Sequence, residues 1–124
     1  MQMSGSYTEL IAWQKAMDMA EAIYLATESF PNRETFALTQ QLHRAAISVP
    51  SNIAEGHARF SPRDFRHFLR QSRGSVAELE TQLTLARRLG YLSAAALDPV
   101  MAQVSEVGRV LTGLINSIHV ADTR

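Results

Sequence analysis

Four stretches of this chain carry apolar residues at alternating steps of three and four, and none alternates with the period of two that a strand requires. The third stretch is the clearest. Phe65, Leu69, Ser72, Val76, Leu79, Leu83 and Ala86 share one side of a helix over about three heptads. Ser61 is placed to cap it, Pro62 suits the first helical position, Asp64 falls in the first turn, and Gly90 can end it.

The other stretches repeat the pattern. Leu10, Trp13, Met17, Ala20, Tyr24 and Thr27 form a stripe, with Ser6 and Glu9 spaced as a capping box and Phe30-Pro31 as a stop. Leu42, Ala46, Val49 and Ile53 form the second, with Asn32 as cap and Glu34 at the positive end of the helix dipole. Pro50 lies inside that stripe, which keeps its phase, so it should bend the helix and not end it. The fourth stripe is Val100, Val104, Val107, Leu111, Leu114 and Ile118, opened by Asp98-Pro99 or by a short turn from Ser93. The spacing predicts helices near 7–29, 32–58, 62–89 and 98–119, with a frayed tail at 121–124. Short linkers favour antiparallel neighbours. The expected fold is all-α: one antiparallel up-down-up-down four-helix bundle spanning residues 1–124.

Composition narrows the function classes. The chain has 124 residues, 46% hydrophobic and 19% charged, which suits a globular core. No cysteine is present, so disulfides, thiol nucleophiles and cysteine-ligated metals are excluded. Twelve basic and twelve acidic residues cancel, which argues against a globally basic nucleic-acid binder but leaves room for a local patch. The start, Met1-Gln2-Met3-Ser4-Gly5-Ser6, is unlike a signal peptide, and no apolar run is long enough to span a bilayer. The expected location is the cytoplasm, with no membrane partner.

Two polar faces exceed what packing requires. On the second helix Gln41, Arg44, Ser48, Asn52, Glu55 and Arg59 lie within an arc of about 80°, opposite the apolar stripe. Small neighbours at Ala45, Ala46, Ala54 and Gly56 allow another helix to approach closely. One acid, two arginines and uncharged amides suit either a solvated surface or an internal network, and a buried Arg44 or Glu55 would have to be paired. On the third helix Gly74-Ser75 interrupts helix propensity and points to a close contact with a neighbouring helix or subunit, one turn from Glu78. Arg44, Asn52, Glu55 and Glu78 are therefore expected in one buried or interfacial polar network.

Arg63, Arg66, Arg70 and Arg73 fall within another arc of about 80°, and Arg59 lies just before them. Eleven of the twelve basic residues are arginine, the side chain that grips phosphate bidentately. These five arginines are either a solubilising face paired with acids such as Asp18, Glu21 and Glu28, or a contact for RNA or DNA. Exposed aromatics that would stack bases are missing beside them, since Phe65 and Phe68 fall on the core side. The histidines are His43, His57, His67 and His119, and Asp64-x-x-His67 is a single half of the paired motif that a di-iron bundle needs. No phosphate loop, nucleophile elbow or zinc-protease motif occurs. The residues point to no catalytic site, cofactor or metal.

The polar block of the second helix also carries a resemblance. Phe30-Pro31-x-x-Glu34, Arg44-Ala45-Ala46-x-Ser48-Val49-Pro50-Ser51-Asn52-Ile53-Ala54-Glu55-Gly56, Arg59, Phe68, Gly74-Ser75-x-x-Glu78 and Leu89-Gly90-Tyr91-Leu92 resemble the 23S rRNA-intervening-sequence protein family over about residues 9–119. Ser72 departs from the alanine usual there. The resemblance implies a small bacterial four-helix bundle assembled as a ring of five, without an established biochemical role. It also implies kinship with a pentameric retroelement accessory protein that binds nucleic acid. Two functions are thus expected. The first is a non-enzymatic homo-oligomeric module, a pentamer by resemblance, that holds another macromolecule through Gln41, Arg44, Ser48, Asn52, Glu55, Arg59, Gly74, Ser75 and Glu78. The alternative is an RNA- or DNA-binding accessory protein using Arg59, Arg63, Arg66, Arg70 and Arg73.

Overall fold

The computed structural model describes residues 5–120. Four helices follow one another: α1 (Ile11–Ala26), α2 (Leu38–Ala58), α3 (Pro62–Arg88) and α4 (Ala94–Ser117). Two 3-10 turns, Tyr7–Glu9 and Asn32–Glu34, precede α1 and α2, and no strand occurs among the described residues. The tail at 121–124 lies outside them.

Each helix packs on its neighbours in sequence, and α4 closes back onto α1. The contacts run counter to one another. Ser48 meets Ser75 while Gly56 faces Phe65 and Phe68; Arg73 meets Thr112 while Val76 lies by Gly108; Lys15 reaches Glu106. The pairs α2/α3 and α3/α4 are therefore antiparallel, and α1 and α3 occupy opposite corners of the bundle.

The helix ends differ from expectation where side chains found better partners. Tyr7–Glu9 forms a separate 3-10 turn, because Ser6 Oγ accepts from Thr8 N and not from the third residue on. Helix α2 starts at Leu38 and not near Asn32. Glu34 Oε1 accepts from Leu38 N while its Oε2 accepts from the Tyr91 hydroxyl at 2.7 Å, so Glu34 caps α2 from outside. The Tyr91 hydroxyl first, and the Leu38 amide second, hold the Glu34 carboxyl below its usual pKa. Helix α4 starts at Ala94 because Ser93 Oγ accepts from Ala96 N; Asp98-Pro99 lies inside it. Ser61 caps α3 as expected, and Gly90, at φ 81°, closes it with the paired bonds Gly90 N to Arg87 O and Tyr91 N to Ala86 O. Helix α2 runs unbroken through Pro50.

The core of α1 is turned from its expected side. Of the expected stripe, Ala20 and Thr27 are buried but Leu10 and Trp13 are half-buried and Met17 and Tyr24 exposed; the buried face, Ala12, Ala16, Met19, Ala20 and Ile23, is centred about 90° from the stripe. Helix α1 is apolar on two sides, and alanines bring it closest to its neighbours. Met19 and Ile23 reach into the core, while Trp13, Met17 and Tyr24 are left on the α2 flank.

Gly56 is where α2 and α3 come closest. A Cβ there would stand 2.7 Å from Phe68 Cβ and 3.3 Å from Phe65 Cα. Glycine to alanine in a helix usually stabilises by about 1 kcal/mol. Here the sign should reverse: Gly56→Ala is expected to cost about 2 kcal/mol by overpacking, measured by denaturant unfolding.

Candidate interaction surfaces

The polar face of α2 divides in two. Its inner half is a seam against α3. Ser48 and Ser75 hydroxyls lie 2.8 Å apart, Asn52 Nδ2 donates to Ser48 O and Oγ at 2.9 Å each, and Ser72 Oγ donates to Val49 O at 2.8 Å. Small hydroxyls satisfy one another and let the backbones approach. Its outer half faces solvent in the single chain. Gln41, Arg44, Glu55 and Arg59 are exposed, as are Gly74 and Glu78 on α3. Glu55 Oε1 accepts from Arg59 Nη2 at 2.9 Å, and the Arg59 guanidinium lies 5.1 Å over the Phe68 ring. Arg44 and Glu78 form no ion pair among the described residues. A Cβ on Gly74 would meet nothing within 4 Å, so no helix of its own chain explains that glycine.

The arginine stripe divides as well. Arg59 is engaged by Glu55. Arg63 and Arg70 are exposed, Arg66 is half-buried, and none of the three forms an ion pair among the described residues. Arg73 turns toward α4. The acids Asp18, Glu21 and Glu28 belong to the α1 corner, and the α1 backbone does not come close to α3. Phe65 is buried and Phe68 half-buried beneath Arg59, but Phe60, between Arg59 and Arg63 in the chain, is 67% exposed, so one free ring does stand at the start of the stripe, contrary to expectation.

A third surface was hidden in the sequence, because its residues were counted as core. Tyr7, Trp13, Met17, Ala20, Glu21, Tyr24, Ile47, Pro50, Ser51 and Ala54 line a groove of about 490 Å³ between α1 and α2. Met17 is 45% exposed and Ile47 49%, high for such side chains. Tyr7 and Trp13 meet edge to face at 5.5 Å, making a rigid aromatic corner at one end. At the other end Tyr24 stacks on His43 at 3.8 Å. Thr27 Oγ1 donates to Tyr24 O, so it can only accept from His43 Nε2, which fixes the neutral tautomer with Nε2 protonated. Burial lowers the His43 pKa. His57 is buried against Phe60 and Phe65, and no group of three metal-binding side chains occurs among the described residues.

No described helix is long and apolar enough to cross a membrane. The sequence matches the family described as "23S rRNA-intervening sequence protein" over residues 8–113. No curated protein matches it. Among solved structures, it is similar to a protein of unknown function from the S23 ribosomal protein family of Bacteroides thetaiotaomicron. The identity is 21%, the TM-score 0.78, and the match covers 86% of this chain and 96% of that one. At that identity the likeness shows the shared fold.

Two outcomes follow from these contacts. Ser75→Ala should cost about 1 kcal/mol, since it leaves Ser48 short of a partner in the seam, whereas Glu55→Ala should change stability by less than about 0.5 kcal/mol; urea unfolding measures both. His43 has a folded pKa below its unfolded one. Its contribution is therefore complete above the unfolded pKa, and is lost as pH falls through that value toward the folded one. Thermal melts should decline below about pH 6.5, and His43→Gln should flatten that decline.

Proposed function

Because the chain belongs to the 23S rRNA-intervening sequence protein family, whose described neighbour has no known function, we propose a reading from its own surfaces: a non-enzymatic bundle that assembles with copies of itself and holds a macromolecular partner. The observation that carries it is the uncovered apolar groove between α1 and α2. Its complement lies on the outer face of α3. Gly74, Ala77 and Thr81 expose small side chains there, Leu85 supplies an apolar knob 46% exposed, and Arg70 and Arg88 flank the ridge. The groove carries Glu21 on its rim. A small-residue ridge with basic flanks fits an apolar groove with an acidic edge.

Antiparallel pairing puts Gly74 level with Val49, the middle of the groove, so ridge and groove stand at the same height on the bundle. They lie on different sides of it. A contact between two different patches is head-to-tail, and patches set at an angle close a ring where opposed ones build a fibre. Five copies is the number that the family resemblance implies. Cytoplasmic location and the absence of catalysis belong to the same proposal.

A second reading has its own observation. Arg63, Arg66 and Arg70 have no acid bound to them among the described residues, so nucleic acid could neutralise them. With Phe60 the one exposed ring at its edge, this contact would be mainly electrostatic, weak and insensitive to base sequence.

Sedimentation equilibrium at tens of micromolar tests the assembly. The unaltered protein should run as a closed oligomer. Met17→Glu in the groove and Gly74→Glu on the ridge should each yield helical monomers. A monomeric parent protein, or oligomers that survive both changes, would defeat the proposal.

A further inference from the structure

Arg73, Arg109, Ser105, Thr112, Gly108 and Glu80 line a cleft of about 380 Å³ between α3 and α4. One arginine in it is held in an unusual way. Arg73 Nε donates to Thr112 Oγ1 at 3.2 Å, and the Thr112 hydroxyl hydrogen goes to Gly108 O at 2.9 Å. The chain of two bonds fixes the back of the guanidinium to α4. The terminal nitrogens of Arg73 have no acceptor and no ion pair among the described residues. Their donors form the planar fork that binds two oxygens of one tetrahedral anion.

Gly108 belongs to the same device. Its missing Cβ would stand 3.7 Å from Arg73 Cζ, 3.9 Å from Arg73 Nε and 3.3 Å from Val76 Cγ1. The tight contact is the one to Val76, so the glycine lets α3 and α4 approach closely there, and the Arg73 guanidinium lies over the same bare backbone at ordinary contact distance. Arg109 follows it in sequence and brings a second positive charge to the cleft. The nearest acids are accounted for. Glu106 is bound by Lys15 Nζ at 2.6 Å, and Glu80 lies two helical turns from Arg73, about 10 Å along α3. From Gly108 to Val120 the chain has no acid at all.

From this geometry we infer that the α3/α4 cleft is a phosphate-binding subsite, with Arg73 as a pre-set bidentate donor, Arg109 as the second cation and Thr112 as the positioning residue. The phosphate comes either from a nucleic-acid backbone or from a small phosphate ester. Arg66, seven residues before Arg73 on the same side of α3, continues the positive track and favours the backbone. The subsite depends on the second reading above only for the source of its phosphate, and it is complete within one chain.

Arginine modification by phenylglyoxal, mapped by peptide mass, tests it on the full-length protein. Orthophosphate should protect Arg73 and Arg109 with saturation and leave Arg87 and Arg88 open. Thr112→Val keeps the shape of an exposed side chain and should weaken that protection about fivefold, the worth of one hydrogen bond, with an unchanged circular-dichroism spectrum. A short oligodeoxythymidylate that protects Arg66 together with Arg73 assigns the phosphate to nucleic acid. Protection by orthophosphate alone assigns it to a small ester. Met17→Glu, which addresses assembly, should leave Arg73 protection intact, so failure of one reading is separable from failure of the other. Protection that never saturates, that is equal at Arg73 and Arg88, or that is unchanged in Thr112→Val would overturn the subsite.

Discussion

Gly56 sets the distance between α2 and α3, and most of the bundle follows from that distance. With no Cβ in the way, the Phe65 backbone and the Phe68 side chain come to within van der Waals reach of the α2 backbone. At so close an approach only small side chains fit along the rest of the seam, and Ala45, Ser48, Asn52, Ser72 and Ser75 occupy it. Buried hydroxyls at such a seam would be costly if unpaired. Here each finds a partner, two of them on the backbone or hydroxyl of the facing helix. A tight α2–α3 pair then acts as a wall against which α1 and α4 bury their alanines, valines and leucines.

The price of that arrangement falls on α1. Its alanines fill the narrow space left in the core, and its bulky Trp13, Met17 and Tyr24 are displaced to the flank against α2. Alone, such a flank exposes apolar surface to water, roughly 25 cal/mol lost for each Å² left uncovered. Covering it would recover that free energy. The same reasoning applies to Gly74. Its helix cost of about 1 kcal/mol has no return inside the chain, where a Cβ would meet open space. Groove and glycine are two features that the single chain leaves unexplained, and the proposed self-association would account for both.

Much of this was legible in the residues. Four helices, the Ser61 and Gly90 ends of α3, and the continuity of α2 through Pro50 are local properties, fixed by capping chemistry and by stripe phase. The starts of α2 and α4 were not, because Glu34 and Ser93 act through partners the sequence does not reveal: Tyr91 lies far along the chain from Glu34. The α1 stripe misled for a related reason. Periodicity locates an apolar side, but when a helix has two such sides only the neighbours decide which is buried. The polar residues of α2 stood on one arc, as spacing indicated, yet burial divides that arc between a seam and an open face. Gly108 had a visible signal, a glycine inside a valine-rich helical stretch, but its meaning rests on Arg73, which reaches it from another helix.

Net charge concealed the electrostatics for the same reason. Acids and bases cancel over the chain, yet the fold sorts them. Asp18, Glu21 and Glu28 are carried by α1 and the turn after it, while Arg63, Arg66, Arg70 and Arg73 are carried by α3 at the opposite corner, with Arg109 on α4 beside them. At physiological ionic strength charges more than about 8 Å apart are largely screened. Opposite corners of a bundle, separated by two layers of packed helix, therefore act as independent patches. A neutral protein built this way presents a negative edge and a positive edge at once. The negative edge borders the apolar groove, which suits it to the basic flanks of the α3 ridge on another copy. The positive edge continues past that ridge into the α3/α4 cleft, where Thr112 holds the Arg73 fork open. The α3 ridge and the α3/α4 cleft thus lie on different sides of one helix, and a local positive patch at either does not require the chain as a whole to be basic.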